Sequence, residues 1–419
     1  MNRMINISEE VVRTNLINLR QLVFEVTEKC NLRCGYCGLS DLYKSYTVRE
    51  DRDLPFQRAK SMIDYLLKLW RDNHNVDTVF PVIVSFYGGE PLMNMPLIRK
   101  IIEYLEQSKI KERSFRYSMT TNGMLLDKCM DYLVEKKFNI LISLDGDENS
   151  NSYRVDHFGR NSFKKVFTNA KLLQIKFPEY FNKYVQFASV LHNRNDVEPI
   201  YDFFETNFDK ETPRISPLSD VGVCENKKGE FRKMYKNKTA SFYKSKNCET
   251  LEKKYFLETP RGYSLSRYLY NLSGNIYYNY NQLMVSKLVN DMISTGTCSP
   301  FSKKLFLSVS GRILPCERID HDFGLGYVHD DFVELDYNHV ADRHNHLLSK
   351  LVHQCYSCGH KKLCPECIYF IDDIRNRTSQ CLSFCTEDKA EEERQGIFDY
   401  LRQNPHYYEK VLNEVGFSK

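Results

Sequence analysis

The chain reads as an α/β protein. A partial (β/α)6 barrel spans residues 1–216, a helical bridging segment 217–297, a cysteine-rich domain 298–385 and a helical tail 386–419. Three observations lead there. Short apolar runs alternate with helical patterns from residue 21 to 216, the pattern of parallel βαβ units. No dinucleotide-type glycine signature accompanies them, which favours an open or partial barrel. Of 14 cysteines, three fall between 30 and 37 and eight between 298 and 385, and the first group directly follows the first apolar run.

The strand candidates are QLVFEV (21–26), VIVSFYG (82–88), RYSMTT (116–121), ILISLDG (140–146) and VQFASVL (185–191). Each is four to eight residues long and rich in β-branched or aromatic side chains. Between them, QRAKSMIDYLLKLW (57–70) puts Met62, Leu66 and Leu69 on one helical stripe, and MPLIRKIIEYLEQ (95–107) repeats that period. In such a barrel the chemistry sits at the C-terminal ends of the strands. Residues 208–297 turn Lys-, Tyr- and Asn-rich and read as helical, with no chemistry that their composition names. The tail 387–416 reads as charged helices.

Composition excludes several classes. Hydrophobic residues at 42% and charged residues at 27% describe a globular chain rather than a disordered one. A net charge of +4 over 419 residues makes no case for nucleic-acid binding. No window approaches 18 consecutive apolar residues, so no membrane span is expected, and MNRMINISEEVVRTN lacks the apolar core of a signal peptide. A cytoplasmic location follows as an expectation, and cysteines held reduced there point to metal or catalysis rather than disulfides.

The stretch EVTEKCNLRCGYCGLSDLY (25–43) carries Cys30, Cys34 and Cys37 in a C-x3-C-x2-C spacing. Structural zinc takes four closed ligands, and this spacing matches no common zinc finger. An iron–sulfur cube also needs four ligands, and the next cysteine is Cys129, on an expected helix. Three thiolates leave one iron open to a small chelating molecule. The spacing, with aromatic Tyr36 before the third cysteine, resembles the radical SAM superfamily. That resemblance implies a TIM-like partial barrel. It also implies a 4Fe–4S cluster that binds S-adenosylmethionine and cleaves it reductively to a 5′-deoxyadenosyl radical, which abstracts hydrogen from unactivated C–H bonds.

Further motifs follow in the order the resemblance expects. YGGEP ends the second strand candidate; glycines there let backbone approach a ligand, and the resemblance implies that Gly88, Gly89, Glu90 and Pro91 grip the methionyl amine. TTNG (120–123) and SLDG (143–146) end the next two, placing Asn122, Ser143 and Asp145 at the same rim for ribose and carboxylate contacts. Arg154, in YRVDHFG, matches a family arginine near the carboxylate, and Tyr36 completes the implied S-adenosylmethionine site.

The later cysteines resemble the SPASM domain, which holds two auxiliary 4Fe–4S clusters. By that resemblance Cys355, Cys358, Cys364 and Cys381 bind the outer cluster, and Cys298, Cys316 and Cys367 the inner one, with Cys385 a candidate fourth ligand. The chain departs from the pattern between Cys364 and Cys367, where two residues stand instead of three. Three clusters and S-adenosylmethionine are therefore the expected cofactors.

SPASM-bearing relatives modify peptides. The reading favoured at this level is a peptide maturase that installs a thioether or C–C crosslink in a ribosomally made precursor. The alternative is an anaerobic sulfatase-maturating enzyme, which oxidises Cys or Ser to formylglycine. Such enzymes carry a cysteine five residues before the first SPASM cysteine, whereas MISTGT (292–297) has none. They also place Asp directly after the second, where this chain has Glu317. Glu317 is the candidate general base; the competing role is an ion pair with Arg318 or Arg312. A non-enzymatic Fe–S carrier or a zinc scaffold would leave the three strand-end motifs without a purpose. The expected partners are a precursor peptide and a low-potential reductant such as flavodoxin or ferredoxin; because the stretch before Cys30 is short, a leader is expected to bind a separate recognition protein, the bridging segment or the tail.

Overall fold

The computed structural model describes residues 6–414 apart from 44–48, 74–79, 109, 112, 211–212, 273–298, 362–363, 365, 372–373 and 377–378. The chain divides into two compact units. One comprises Leu19–Cys248 and Lys303–Leu335; the other comprises the residues up to Asn18, Glu249–Ser302 and Asp336 onward.

The first unit holds a ten-stranded sheet. Its strands are β1 (Gln21–Thr27), β2 (Val82–Gly88), β3 (Phe115–Thr121), β4 (Asn139–Ser143), β5 (Val185–Leu191), β6 (Arg214–Pro217), β7 (Lys304–Leu307), β8 (Arg312–Leu314), β9 (Gly326–Val328) and β10 (Val333–Glu334), in the spatial order β10-β9-β8-β7-β1-β2-β3-β4-β5-β6. β1 to β6 pair in parallel with sequential neighbours. All five strand candidates are present, two at the expected ends and three within three residues of them. β6 supplies the sixth strand, and the described strands leave β6 and β10 as open edges.

Why these segments form a parallel sheet is visible in burial. β1 is buried at every residue after Gln21, as expected for a strand covered on both faces. The helix Phe56–Arg71 buries Ala59, Met62, Ile63, Leu66, Leu67 and Trp70, a stripe of i, i+3, i+4, i+7 period; Leu69 is only half-buried. The helix Met95–Gln107 has the bounds the periodicity expects, and Asn94 caps it by accepting from the backbone N–H of Leu97 at 3.4 Å.

One arrangement is not visible in the pattern. Residues 303–335, which the sequence groups with the later cysteines, belong to the sheet. β7 pairs in parallel with β1, Gln21 opposite Lys304 and Phe24 opposite Leu307, and β8 to β10 extend that edge as an antiparallel meander. The bridging segment is helical at Lys228–Met234, Lys238–Tyr243, Cys248–Lys254 and Pro260–Leu272. Its first part packs Leu218, Val223, Phe231 and Met234 against Tyr36, Leu42 and Tyr43 of the first cysteine loop; the rest, from 273, lies outside the described residues.

The second unit is helical where it carries regular structure. The Asn345 side chain clasps Ile7 through both backbone groups, at 2.9 and 2.8 Å, and Phe256, Leu265, Tyr407 and Val411 form a small core. The tail gives the helices Glu387–Gln403 and His406–Glu414. No helix among the described residues is long and apolar enough to cross a membrane.

Candidate active site and cysteine centres

Because β1 to β5 are parallel, the residues after their C-terminal ends gather on one rim. The backbone N–H of Gly89 donates to Thr27 O at 2.9 Å and that of Glu90 to Lys29 O at 2.8 Å, which sews the YGGEP turn to the start of the cysteine loop. Glycine is required there. A Cβ on Gly89 would stand 2.1 Å from Lys29 O, and one on Gly88, whose φ is +139°, 2.1 Å from Thr27 O.

Glu90 is fully buried. Its carboxylate accepts from Thr121 Oγ1 at 2.6 Å, the Asn122 backbone N–H at 2.7 Å and the Leu92 N–H at 3.1 Å. It therefore ties the end of β2 to the end of β3. Burial pushes its pKa up to about 7, against the lowering pull of those three donors. Three of roughly four acceptor positions on a carboxylate are thus occupied by the chain itself.

The cysteine loop is held on its other side by residues 153–157. Arg33 N–H donates to Val155 O at 2.7 Å and Gly35 N–H to Tyr153 O at 3.0 Å. His157 Nε2 lies 2.8 Å from Cys30 O. Asn122 Nδ2 donates to Asn31 Oδ1 at 2.7 Å and approaches Cys30 Sγ at 3.8 Å. Tyr153, Val155, His157 and Asn31 were not anticipated. Their contacts join residues about 90 to 130 apart in sequence, and no local pattern signals them.

Beneath the loop lies a buried ionic knot. Asp145 accepts from Arg154 Nη2 at 2.9 Å and from the Val190 N–H at 2.9 Å, and it also accepts from the Tyr36 hydroxyl. His192 Nε2 is 3.7 Å from the same carboxylate, and its ring stacks on Tyr36 with centroids 5.7 Å apart. Burial alone would raise the Asp145 pKa, but Arg154 and the hydrogen bonds outweigh it and hold the carboxyl below its ordinary value. Tyr36, Asp145 and Arg154 thus come together as the sequence expects, in contact with one another. His192 is a fourth member that no motif flagged. Ser143 ends β4 on the same rim, half-buried.

Cys30, Cys34 and Cys37 form no disulfide and are half-buried. Burial pushes the Cys30 thiol up to about 11 and Cys34 up to about 12, and each also feels the charge of Cys37. Cys30 and Cys34, so buried, are costly as bare thiolates and would be stabilised by a bound cationic centre. The residues present fit an iron–sulfur cluster with three protein ligands.

Glu317 follows Cys316 on the loop after β8. Its carboxylate is bidentate to Lys304 Nζ, 3.0 Å to each oxygen, so the ion pair forms with Lys304 rather than Arg318 or Arg312. Burial raises its pKa, but Lys304 outweighs this and the carboxyl stays below its ordinary value. The Cys316 thiol approaches it at 3.6 Å and is pushed up to about 11, chiefly by burial. Tyr87, half-buried on β2, feels the charges of both Glu317 and Cys37, while Lys304, opposite Gln21 at the start of β1, and the antiparallel return of β8 set Glu317 at the strand-start end of the sheet, opposite the end that the cysteine loop follows.

In the second unit, Cys355, Cys358, Cys364 and Cys381 line one cavity of about 410 Å³ together with Cys385. Gln354 braces it: its Nε2 donates to Ser379 O at 2.9 Å and its Oε1 accepts from the Cys381 N–H at 2.8 Å. Four thiols around one cavity fit the chemistry of an iron–sulfur cube. Cys367 does not line that cavity, Cys316 belongs to the sheet unit, and Cys298 lies outside the described residues.

Residues 24–204 match the family model of the radical SAM superfamily. Among curated proteins, the chain is 24% identical over 319 residues to the radical SAM cyclopropyl synthase TigE of Paramaledivibacter caminithermalis, covering 73% of this chain and 59% of that one. It is 26% identical over 211 residues to the cysteine-type anaerobic sulfatase-maturating enzyme of Clostridium novyi, covering 48% and 53%. The chain spans about half the length of the curated relatives it matches. A solved structure of anSMEcpe with bound AdoMet and Cp18Cys peptide shares the fold, with a TM-score of 0.63 at 20% identity, covering 94% of this chain and 99% of that one.

Proposed function

We infer, from the match of residues 24–204 to the radical SAM family model, that this protein is an S-adenosylmethionine-dependent enzyme that oxidises a side chain of a peptide or protein substrate. Cys30, Cys34 and Cys37 would hold the cluster, and when bound, cluster and S-adenosylmethionine supply the one-electron chemistry that removes a substrate hydrogen atom. The chain's own residues do the rest. Gly88 and Gly89 keep the rim open to close backbone approach, and Glu90 and Asn122 set its shape. The Asp145–Arg154 pair orients Tyr36 under the loop.

The observation that carries the reading is Glu317. A mostly buried carboxylate kept ionised by Lys304, whose charge reaches Tyr87 of β2 as that of Cys37 does, is the group that would take a proton from a substrate whose neighbouring hydrogen has been removed. Its depressed pKa means that it accepts only from an acidified donor, and the thiol or hydroxyl on the radical-bearing carbon is one, its proton leaving to Glu317 as the remaining electron passes to an auxiliary iron–sulfur cluster.

Two products are compatible with this step. Formylglycine formation on a Cys or Ser side chain is the reading that the relatives favour, because the sulfatase-maturating type recurs among the curated proteins, as a cysteine-type and a serine-type enzyme. This reverses the order of preference drawn from the motifs. Crosslinking of a precursor peptide is the second reading, supported by the absence of cysteine at 292–297, by Glu317 standing where Asp is usual, and by the cyclopropyl synthase relative. A flavodoxin- or ferredoxin-type reductant and a separate leader-binding partner belong to the same proposal.

The test is anaerobic turnover of the reconstituted, reduced protein with S-adenosylmethionine and either a Cys-containing sulfatase-type peptide or a precursor peptide. The readouts are 5′-deoxyadenosine and peptide mass. Changing Cys30, Cys34 and Cys37 together to Ala should abolish 5′-deoxyadenosine. Glu317→Gln should keep it and lose product. Wild-type cofactor cleavage by the triple variant would end the whole reading; undiminished product from Glu317→Gln would end the role of the carboxylate.

A further inference from the structure

Five thiols line the second unit's cavity, and a cube takes four. The fifth, Cys385, is the buried one, and it shares that cavity with His360 and Glu393. His360, Cys385 and Glu393 bring an imidazole nitrogen, a thiol sulfur and a carboxylate oxygen within 4.8 Å of one another. His360 Nε2 and Glu393 Oε2 are already 2.7 Å apart.

The local fold builds this grouping. The Gly359 N–H donates to Cys385 O at 2.8 Å, pressing the Cys358–His360 turn onto the start of the helix Glu387–Gln403. A Cβ on Gly359 would stand 2.5 Å from Ala390 Cβ and 2.7 Å from Thr386 O, so only glycine allows that approach. Ala390 and Glu393 are three residues apart and share a helix face. The residue after Gly359 therefore meets Glu393, with Cys385 alongside.

We propose that His360, Cys385 and Glu393 bind a single divalent cation of the zinc type, separate from the cluster ligands, with the fourth position left to water. Sulfur, nitrogen and oxygen donors in one tetrahedron are ordinary zinc chemistry. One thiolate and one carboxylate neutralise a divalent ion, and the thiol proton leaves to solvent on binding. Present separations of up to 4.8 Å close to ligand distance by rotation of His360 and Glu393, whose side chains are 31% and 49% exposed. Cys385 then has a purpose that does not involve closing a cube. The site does not rest on the proposed reaction.

The experiment uses the full-length protein, reconstituted anaerobically with iron and sulfide, exposed to zinc and desalted. Iron and zinc are measured in the same sample, and the zinc ligands are read by X-ray absorption. About one zinc per chain with one sulfur and otherwise nitrogen or oxygen ligands is expected. Cys385→Ser and Glu393→Gln should each weaken zinc retention about tenfold or more while iron stays at the wild-type level, by analogy with ligand-shell losses elsewhere. Glu393→Gln lies on an exposed helix face, so it tests the site even if Cys385→Ser folds poorly. Three results overturn the proposal: iron lost together with zinc in Cys385→Ser, which would make Cys385 a cluster ligand; zinc retained in both variants; or zinc bound by sulfur alone.

Discussion

Removing Arg154 should strip the cation from a carboxylate that has no access to water. Asp145 is 0% exposed in its side chain and Arg154 9%. In Arg154→Met the carboxylate keeps only Tyr36, the Val190 N–H and His192 as neighbours. Breaking a buried pair from one side costs about 3–5 kcal/mol. For a unit of more than 150 residues, at about 2–4 °C per kcal/mol, the melting temperature should fall by about 6–20 °C. The double variant Asp145→Asn/Arg154→Met removes the stranded charge and should recover at least about half of that loss. The sign with pH is set by Asp145, whose folded pKa is depressed. The stabilisation is present above the ordinary carboxyl range and is lost as pH falls through the lower folded value. Any working pH near neutrality should therefore show the full effect. The assay is anaerobic differential scanning fluorimetry of the reconstituted protein without S-adenosylmethionine, so that ligand contacts do not enter. An Arg154→Met protein melting within about 2 °C of wild type, or a double variant no better than the single one, would show that the pair does not neutralise Asp145 in the way the buried geometry requires.

Gly89→Ala should destabilise by about 4 kcal/mol or more and lower the iron bound at the first cysteine loop, because its Cβ would stand 2.1 Å from Lys29 O and 2.5 Å from Lys29 C. Gly229→Ala, on the helix Lys228–Met234 with nothing within 4 Å of the new atom, should be neutral or slightly stabilising; equal melting and iron content in the two variants would refute the close-approach argument. Glu90, with its pKa raised from 4.5 to about 7, binds its proton more tightly in the folded state. Its contribution to stability should therefore decline by about 3 kcal/mol as pH rises through that window and level off outside it. Glu90→Gln should remove this part of the slope, read as the difference in urea midpoint between variant and wild type from about pH 4.5 to 8; parallel pH profiles would contradict it.

The strand and helix alternation was legible in the sequence because burial imposes a local period. β2, β5 and the helix Met95–Gln107 have the bounds that their apolar patterns mark. The candidate site was legible to the same depth. Cys30, Cys34 and Cys37, the YGGEP turn, Asn122 and Asp145 all lie within ten residues of strand ends, and parallel strands bring such ends together whatever the rest of the chain does.

Tertiary structure decided the remainder, because the deciding contacts join residues far apart in the chain. β7 to β10 are two to four residues long, too short to show a period, and only pairing with β1 makes a sheet edge of them. His192 and His157 carry no motif, yet one stacks on Tyr36 and the other holds Cys30. Glu317 was readable as a carboxylate; that Lys304 rather than an adjacent arginine sets its charge state follows from where β7 and the loop after β8 meet. Cys385 looked like the eighth member of an array because spacing counts cysteines. The folded chain also sets it beside His360 and Glu393, because a glycine at 359 lets the turn that carries His360 reach the helix that carries Glu393.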